Sequence, residues 1–175
     1  MVYGGASLGV VSVLAYSIWA FGLIKNTAAM YAATAAIYVG LAGLALGRLV
    51  TDPAGQRRFS LSLAAGMAAY AFLWCVCWFG LRGKYHADYW GAAAGLAAVT
   101  AILRRHFDTG ADFLPLWAVL FLCHGAGYQL GGDLYGAVRG PAGRLLWGAA
   151  HGFGFGAGLA YLIVQCLKHP RPARV

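Results

Sequence analysis

The chain has 175 residues, of which 61% are hydrophobic and only 10% charged, and its mean hydropathy is +0.67. A soluble globular domain carries roughly 25% charged residues, so this composition excludes an ordinary water-soluble domain and predicts a membrane protein. The formal charge of +8 does not point to nucleic acid: the basic residues stand in ones to threes at the ends of apolar segments, as topology signals do, and no basic face is left to track a phosphate backbone.

Six apolar segments are long enough to cross a hydrocarbon core, which needs about 20 residues each. They fall near 5–24, 27–50, 59–81, 88–103, 113–131 and 145–167. The expectation is a polytopic, all-α integral membrane protein, a single domain of six transmembrane helices over 1–175. The uncharged flank of the first segment, and the lack of a small-residue cleavage site after it, argue against a removable signal peptide. Lys25-Asn26 predicts a tight turn, and Thr51–Arg58, with Pro53 and Gly55, a loop. The fourth segment, GAAAGLAAVTAIL from Gly91, is short and rich in alanine and glycine, which suits a helix enclosed by the others. Loops are expected again over Arg82–Asp88, Arg104–Asp112 and Gly132–Arg144, and a basic, proline-broken tail over Lys168–Val175.

Orientation follows from the Lys and Arg residues on each side. With the first segment starting inside, one side holds Arg48, Arg57, Arg58, Arg104, Arg105, Lys168, Arg171 and Arg174. The other holds Lys25, Arg82, Lys84, Arg139 and Arg144. The excess predicts both termini in the cytoplasm, and short loops without organelle signals suggest a bacterial inner membrane. Trp78, Tyr85, Tyr89, Trp90 and Trp147 fall near the predicted interfaces, as an aromatic belt would.

The polar chemistry concentrates between His124 and Tyr161. HGAGYQLG from His124 and HGFGFGAG from His151 each place glycine at +1, +3 and +7 and an aromatic at +4. On a helix +3, +4 and +7 share the histidine's face. Each half is thus a His–Gly–aromatic–Gly stripe, and two antiparallel neighbours would bring the histidines to similar depth in the outer half of the bilayer. His124 and His151 are expected either to hydrogen-bond across the two helices or to be a cofactor-binding or metal-ligating pair. Gly127, Tyr128, Gly131, Gly154, Phe155 and Gly158 are candidates to line a pocket, and Cys75, His86, Asp88 and Asp133 are further polar candidates. Polar groups in lipid are costly and tend to pair or to serve a function. Cys75, Cys77, Cys123 and Cys166 lie inside apolar segments without zinc or disulfide spacing. Cys75 and Cys77 point about 200° apart on a helix.

The last segment also carries Ala150-His151, Gly154 and Gly158, which matches the AHxxGxxxG pattern of rhomboid-type intramembrane proteases. GRLVTDPAGQRRF, from Gly47 to Phe59, resembles the junction between their second and third helices. The chain therefore resembles a rhomboid-like six-helix core. Where that family's fourth helix opens with the serine motif GxSG, this chain has GAAAG, Gly91 to Gly95, and the second-helix HxxxN and the long first loop are also missing. The resemblance implies an inactive relative, of the kind that binds transmembrane clients.

Two functions follow. The first is a non-enzymatic membrane module or small subunit of a membrane complex. It would be embedded in the lipid bilayer and would dock other transmembrane helices, or a second copy of itself, through small-residue faces. The alternative is a haem- or metal-binding redox protein ligated by His124 and His151, since imidazole suits haem iron, copper or zinc. An ion-coupled transporter would carry charge at mid-span, and none is found there.

Overall fold

The structure is a computed structural model that describes residues 1–50 and 52–171; Thr51, Arg174 and the rest of the tail beyond Arg171 lie outside the described residues. Six helices follow one another: α1 Val2–Ala20, α2 Thr27–Gly47, α3 Pro53–Gly80, α4 Ala87–His106, α5 Phe113–Val138 and α6 Gly140–Lys168. Five of them, all but α4, are long and apolar enough to cross a membrane. The 20 residues of α4 include Asp88 in the first turn and Arg104, Arg105 and His106 in the last.

Several boundaries differ from the sequence reading, each for a local reason. α3 starts at Pro53 rather than near 59, because Asp52 caps it by accepting from the Gly55 N–H at 2.6 Å and proline is favoured in a first helical turn. α2 starts as expected, its cap being Asn26, which accepts from the Ala29 N–H at 3.0 Å. The expected loop Gly132–Arg144 is not a loop. α5 runs on to Val138 and α6 begins at Gly140, so the link is Arg139 alone, with φ 55° and ψ −177°. Gly132 and Gly136 have open space around them and do not interrupt the helix, and Pro141 sits at the start of α6.

Each helix packs on the next, and α6 closes the ring by packing on α1. α6 carries an unbroken buried stretch from Phe155 to Ala160, and its glycines allow close approach on two sides. Residues two apart on a helix point about 200° apart, so the alternating run Gly152-Phe153-Gly154-Phe155-Gly156-Ala157-Gly158 makes two smooth opposite faces. Gly152 and Gly156 meet the backbone of α1 at Leu8 and Gly4, while Gly154 and Gly158 meet α5 at Gly127 and Leu120. At the end where α1 starts, the segment after α6 is tied to the α4–α5 link: the Gly110 N–H donates to the His169 carbonyl at 2.8 Å and the Thr109 hydroxyl to the same oxygen at 2.7 Å.

At the opposite end Arg144 caps a helix that is not its own. Its Nη1 donates to the carbonyls of Trp19 at 3.1 Å and Ala20 at 3.5 Å, and its guanidinium lies 4.7 Å from the Trp19 ring centre. α1 has no basic residue in its last turn, so Arg144 supplies the cation that a helix C-terminus favours. Arg144→Ala is expected to lower thermal stability in detergent by about 1–2 kcal/mol, with Arg144→Lys recovering part of the loss. An unchanged midpoint for the alanine variant would rule the cap out.

Candidate functional site

α5 and α6 lie so close that one imidazole from each fills the space beside their contact. His124 is 4% exposed, and its Nε2 lies 3.0 Å from Nε2 of His151. The same His124 Nε2 lies 3.1 Å from the hydroxyl of Tyr70, which α3 supplies. The result is a three-helix polar chain, Tyr70–His124–His151, inside an otherwise apolar bundle. A neutral imidazole offers one donor nitrogen and one acceptor nitrogen. If Tyr70 donates to His124, His151 donates to the same nitrogen and keeps a bare Nδ1. If His124 donates to His151, the free His151 Nδ1 carries the proton. In both arrangements the buried His151 Nδ1 has no partner.

Aromatic rings hold the two imidazoles in place. Along α6, Trp147, His151 and Phe155 stack at one-turn intervals, with centroid distances of 5.4 and 6.2 Å. The Tyr128 ring lies parallel to His124 one turn along α5, and Tyr16 of α1 meets Trp147 edge-on at 5.1 Å.

The chain separates two cavities, and both histidines line both. The smaller, about 210 Å³, lies among α3, α4 and α5 and includes Asp88, Tyr89, Gly125 and Tyr128. The larger, about 510 Å³, lies between α2 and α3 and ends on His124, His151 and Phe155. α2 and α3 touch toward their joining loop, where Gly43 meets Ser60 and Gly47 faces Gln56 and Phe59. Farther along, the exposed Ala35 and Ala36 on one helix and Ala68 and Ala71 on the other border the larger cavity.

The expected histidine pair is therefore brought together, with Tyr128 and Phe155 beside it. Four of the expected lining residues are not in the lining. Gly127, Gly131, Gly154 and Gly158 are consumed by the α5–α6 contact: a Cβ at Gly127 would stand 2.6 Å from the Ala150 carbonyl oxygen, and one at Gly131 2.8 Å from the Trp147 ring. The +3 and +7 positions that share the histidine's side are the ones on which the helices touch. Of the further polar candidates, Asp88 reaches the smaller cavity. Cys75 is exposed on α3, and His86 sits exposed at the left-handed N-cap of α4. Asp133 is exposed and accepts from the Gln129 side chain at 3.5 Å. His106 belongs to neither cavity: it lies near the terminal end, 2.9 Å from the Ser62 hydroxyl. Burial, and after it the charge of Arg58, holds its imidazole below the ordinary histidine range.

Haem does not fit between the two histidines as they stand. Two axial imidazole nitrogens would be roughly 4 Å apart, twice a metal–nitrogen bond of about 2 Å. The glycines beside the histidines leave no slot for a macrocycle, because the partner helix fills that space. A single ion held by both Nε2 atoms is compatible with a 3.0 Å separation, but no cluster of three or more His, Cys, Asp or Glu residues suited to a metal occurs among the described residues. On α4 the two glycines of GAAAG are used for packing: a Cβ at Gly91 would meet Trp74, and one at Gly95 would meet Tyr70, both on α3.

Fold and site together define an all-α, six-helix bundle with a buried His–His–Tyr chain between two cavities. No family model, curated protein or solved structure matches this chain.

Proposed function

We propose that the chain is an integral membrane protein, seated in a bacterial inner membrane with the start of α1 and the end of α6 on the cytoplasmic side, and that it binds a ligand rather than catalysing a reaction. The membrane reading is supported by the outside of the bundle. Leu44, Phe72, Phe79 and Leu122 are each about two-thirds exposed or more, spread over helices α2, α3 and α5. A monomer in water does not expose apolar surface on this scale without associating, whereas lipid receives it.

The binding reading rests on one observation: His124 is buried and its partners Tyr70 and His151 half-buried, yet the three form a wall of two cavities instead of being packed on every side. A purely structural interhelical contact needs no space beside it. No serine, and no cysteine among the described residues, stands against either histidine as a nucleophile would, which favours binding over covalent chemistry. An inactive rhomboid-type core would belong to the same binding class. The ligand reading extends it to a small molecule or a client segment that meets the histidines from within the membrane.

The test is to purify wild type, His124→Gln, His151→Gln and His86→Ala in mild detergent, extract each, and quantify retained small molecules by mass spectrometry and metals by elemental analysis. Wild type and His86→Ala are expected to retain the same molecule at near-equal occupancy, and the two glutamine variants about tenfold less, the loss of roughly one good hydrogen bond. Stoichiometric metal or a haem spectrum that disappears in the same two variants would favour the metal reading instead. Retention that is equal in all four proteins sinks the assignment of the site to this pair.

A further inference from the structure

The larger cavity has a chemistry of its own, set by what lines it and by what does not. Among the described residues, no Lys, Arg, Asp or Glu lines it. Alanines, Val39, Met67 and aromatic rings make up most of its wall. Among the described residues, six have a buried side-chain polar atom without a hydrogen-bond partner, and three of these belong to residues that line this one cavity: Oγ1 of Thr34, the hydroxyl of Tyr38 and Nδ1 of His151. Tyr38 is 9% exposed; Ser12 approaches it from α1 without closing a hydrogen bond. Buried polar groups are satisfied in the great majority of cases, and leaving one unpaired costs about 1–3 kcal/mol. Three such residues set in the wall of one apolar space point to a guest that satisfies them there.

We propose that the cavity between α2 and α3 seats one uncharged amphiphile, with a single apolar chain lying between the helices and a hydroxyl head bonded to Tyr38, Thr34 and His151. This rests on the ligand-binding reading and names the class of ligand. Three features select that class. A charged head is disfavoured, because no counter-charge lines the cavity and an unpaired ion in such surroundings is costly. A hydroxyl both donates and accepts, so it meets His151 Nδ1 in either proton arrangement of the histidine pair and still accepts from Tyr38 or Thr34. The volume of about 510 Å³ is that of about one turn of a helix 10–12 Å across; a partner helix does not fit, and a single hydrocarbon chain does. Entry is from the side, past the exposed Ala68 and Ala71 of α3, so the ligand need never leave the lipid.

The experiment uses the full chain in phosphatidylcholine vesicles and three probes with a photoreactive diazirine in the tail: a long-chain alcohol, the matching fatty acid at neutral pH, and the matching alkane. Cross-links are mapped to peptides. The alcohol is expected to label the Thr34–Val39 and Ala64–Ala71 segments about tenfold more than either other probe, the difference of about one net hydrogen bond. Tyr38→Phe with Thr34→Val is expected to bring it down to the level of the alkane. Ala68→Trp, at an exposed position that leaves the interior unchanged, is expected to block labelling by closing the mouth. Equal labelling by all three probes, a preference for the fatty acid, or indifference to Ala68→Trp would each overturn the proposal. If alcohol labelling fails while wild type still retains a molecule that depends on His124 and His151, the ligand class is wrong and the binding reading stands. If both fail, both readings fall.

Discussion

Replacing Gly154 with alanine is expected to destabilise the protein more than any alanine placed at the exposed glycines of α5. A Cβ at Gly154 would collide with the carbonyl oxygen of Cys123 and stand 2.9 Å from the Cα of Gly127. These are backbone atoms of a neighbouring helix, which cannot rotate out of the way, so α5 and α6 must move apart. Overpacking of this kind costs typically about 1–3 kcal/mol, and valine at the same position more. In lipid, small residues are what allow helices to gain dispersion contact at close range, and the separation would also stretch the 3.0 Å contact between His124 and His151. Gly132 and Gly136 have nothing within reach of an added Cβ, so alanine there is expected to leave stability unchanged or raise it by up to about 1 kcal/mol through helix propensity. Thermal unfolding in detergent measures all three. Equal midpoints for Gly154→Ala and Gly132→Ala would show that the two helices do not touch through this glycine.

The same glycines show what was legible in the sequence and what was not. The period of the HGxG repeats correctly put the two histidines on facing helices, because i, i+3, i+4 and i+7 share a side whatever the partner is. The repeats do not say whether that side meets a cavity or a helix, and Gly127, Gly131, Gly154 and Gly158 turned out to meet a helix. The signal for a second interface was present in Gly152 and Gly156, half a turn away from Gly154 and Gly158, and in Gly4 near the start of α1. That signal lies off the histidine's own side, and nothing local joins Gly152 and Gly156 to Gly4. Tyr70 was legible too: a hydroxyl in the middle of an apolar segment calls for a partner, but nothing local says which helix supplies it, since the partner is 54 positions away. Trp147, expected near the membrane interface, also stacks on His151, and α6 starts at Gly140, five residues earlier than its apolar run suggests. Glycine and proline mark turns in water-exposed chains, and here Pro53 and Pro141 open helices while Gly132 and Gly136 ride along one.

The second large effect separates what the histidines hold together from what they hold in place. His124→Ala is expected to cost about 3–5 kcal/mol, since it opens a cavity in a buried position and leaves the Tyr70 hydroxyl and the His151 Nε2 without a partner. Tyr70→Phe removes one hydroxyl and no volume to speak of, and interhelical side-chain hydrogen bonds in membranes average only about 0.6 kcal/mol, so its effect on stability is expected to be small. Replacing all three by phenylalanine tests the remaining possibility. Swapping every partner of a hydrogen-bonded group for apolar residues of similar shape is often close to neutral, and the surrounding Phe155, Trp147 and Tyr128 rings accept further aromatic faces at the distances already present. The triple variant is expected to unfold within about 1–2 kcal/mol of wild type and to retain no ligand. Stability and binding would then have come apart, which is what a cluster maintained for binding predicts. A triple variant that fails to fold, beside a Tyr70→Phe protein as destabilised as His124→Ala, would instead make the chain a structural element whose neighbouring cavities are incidental.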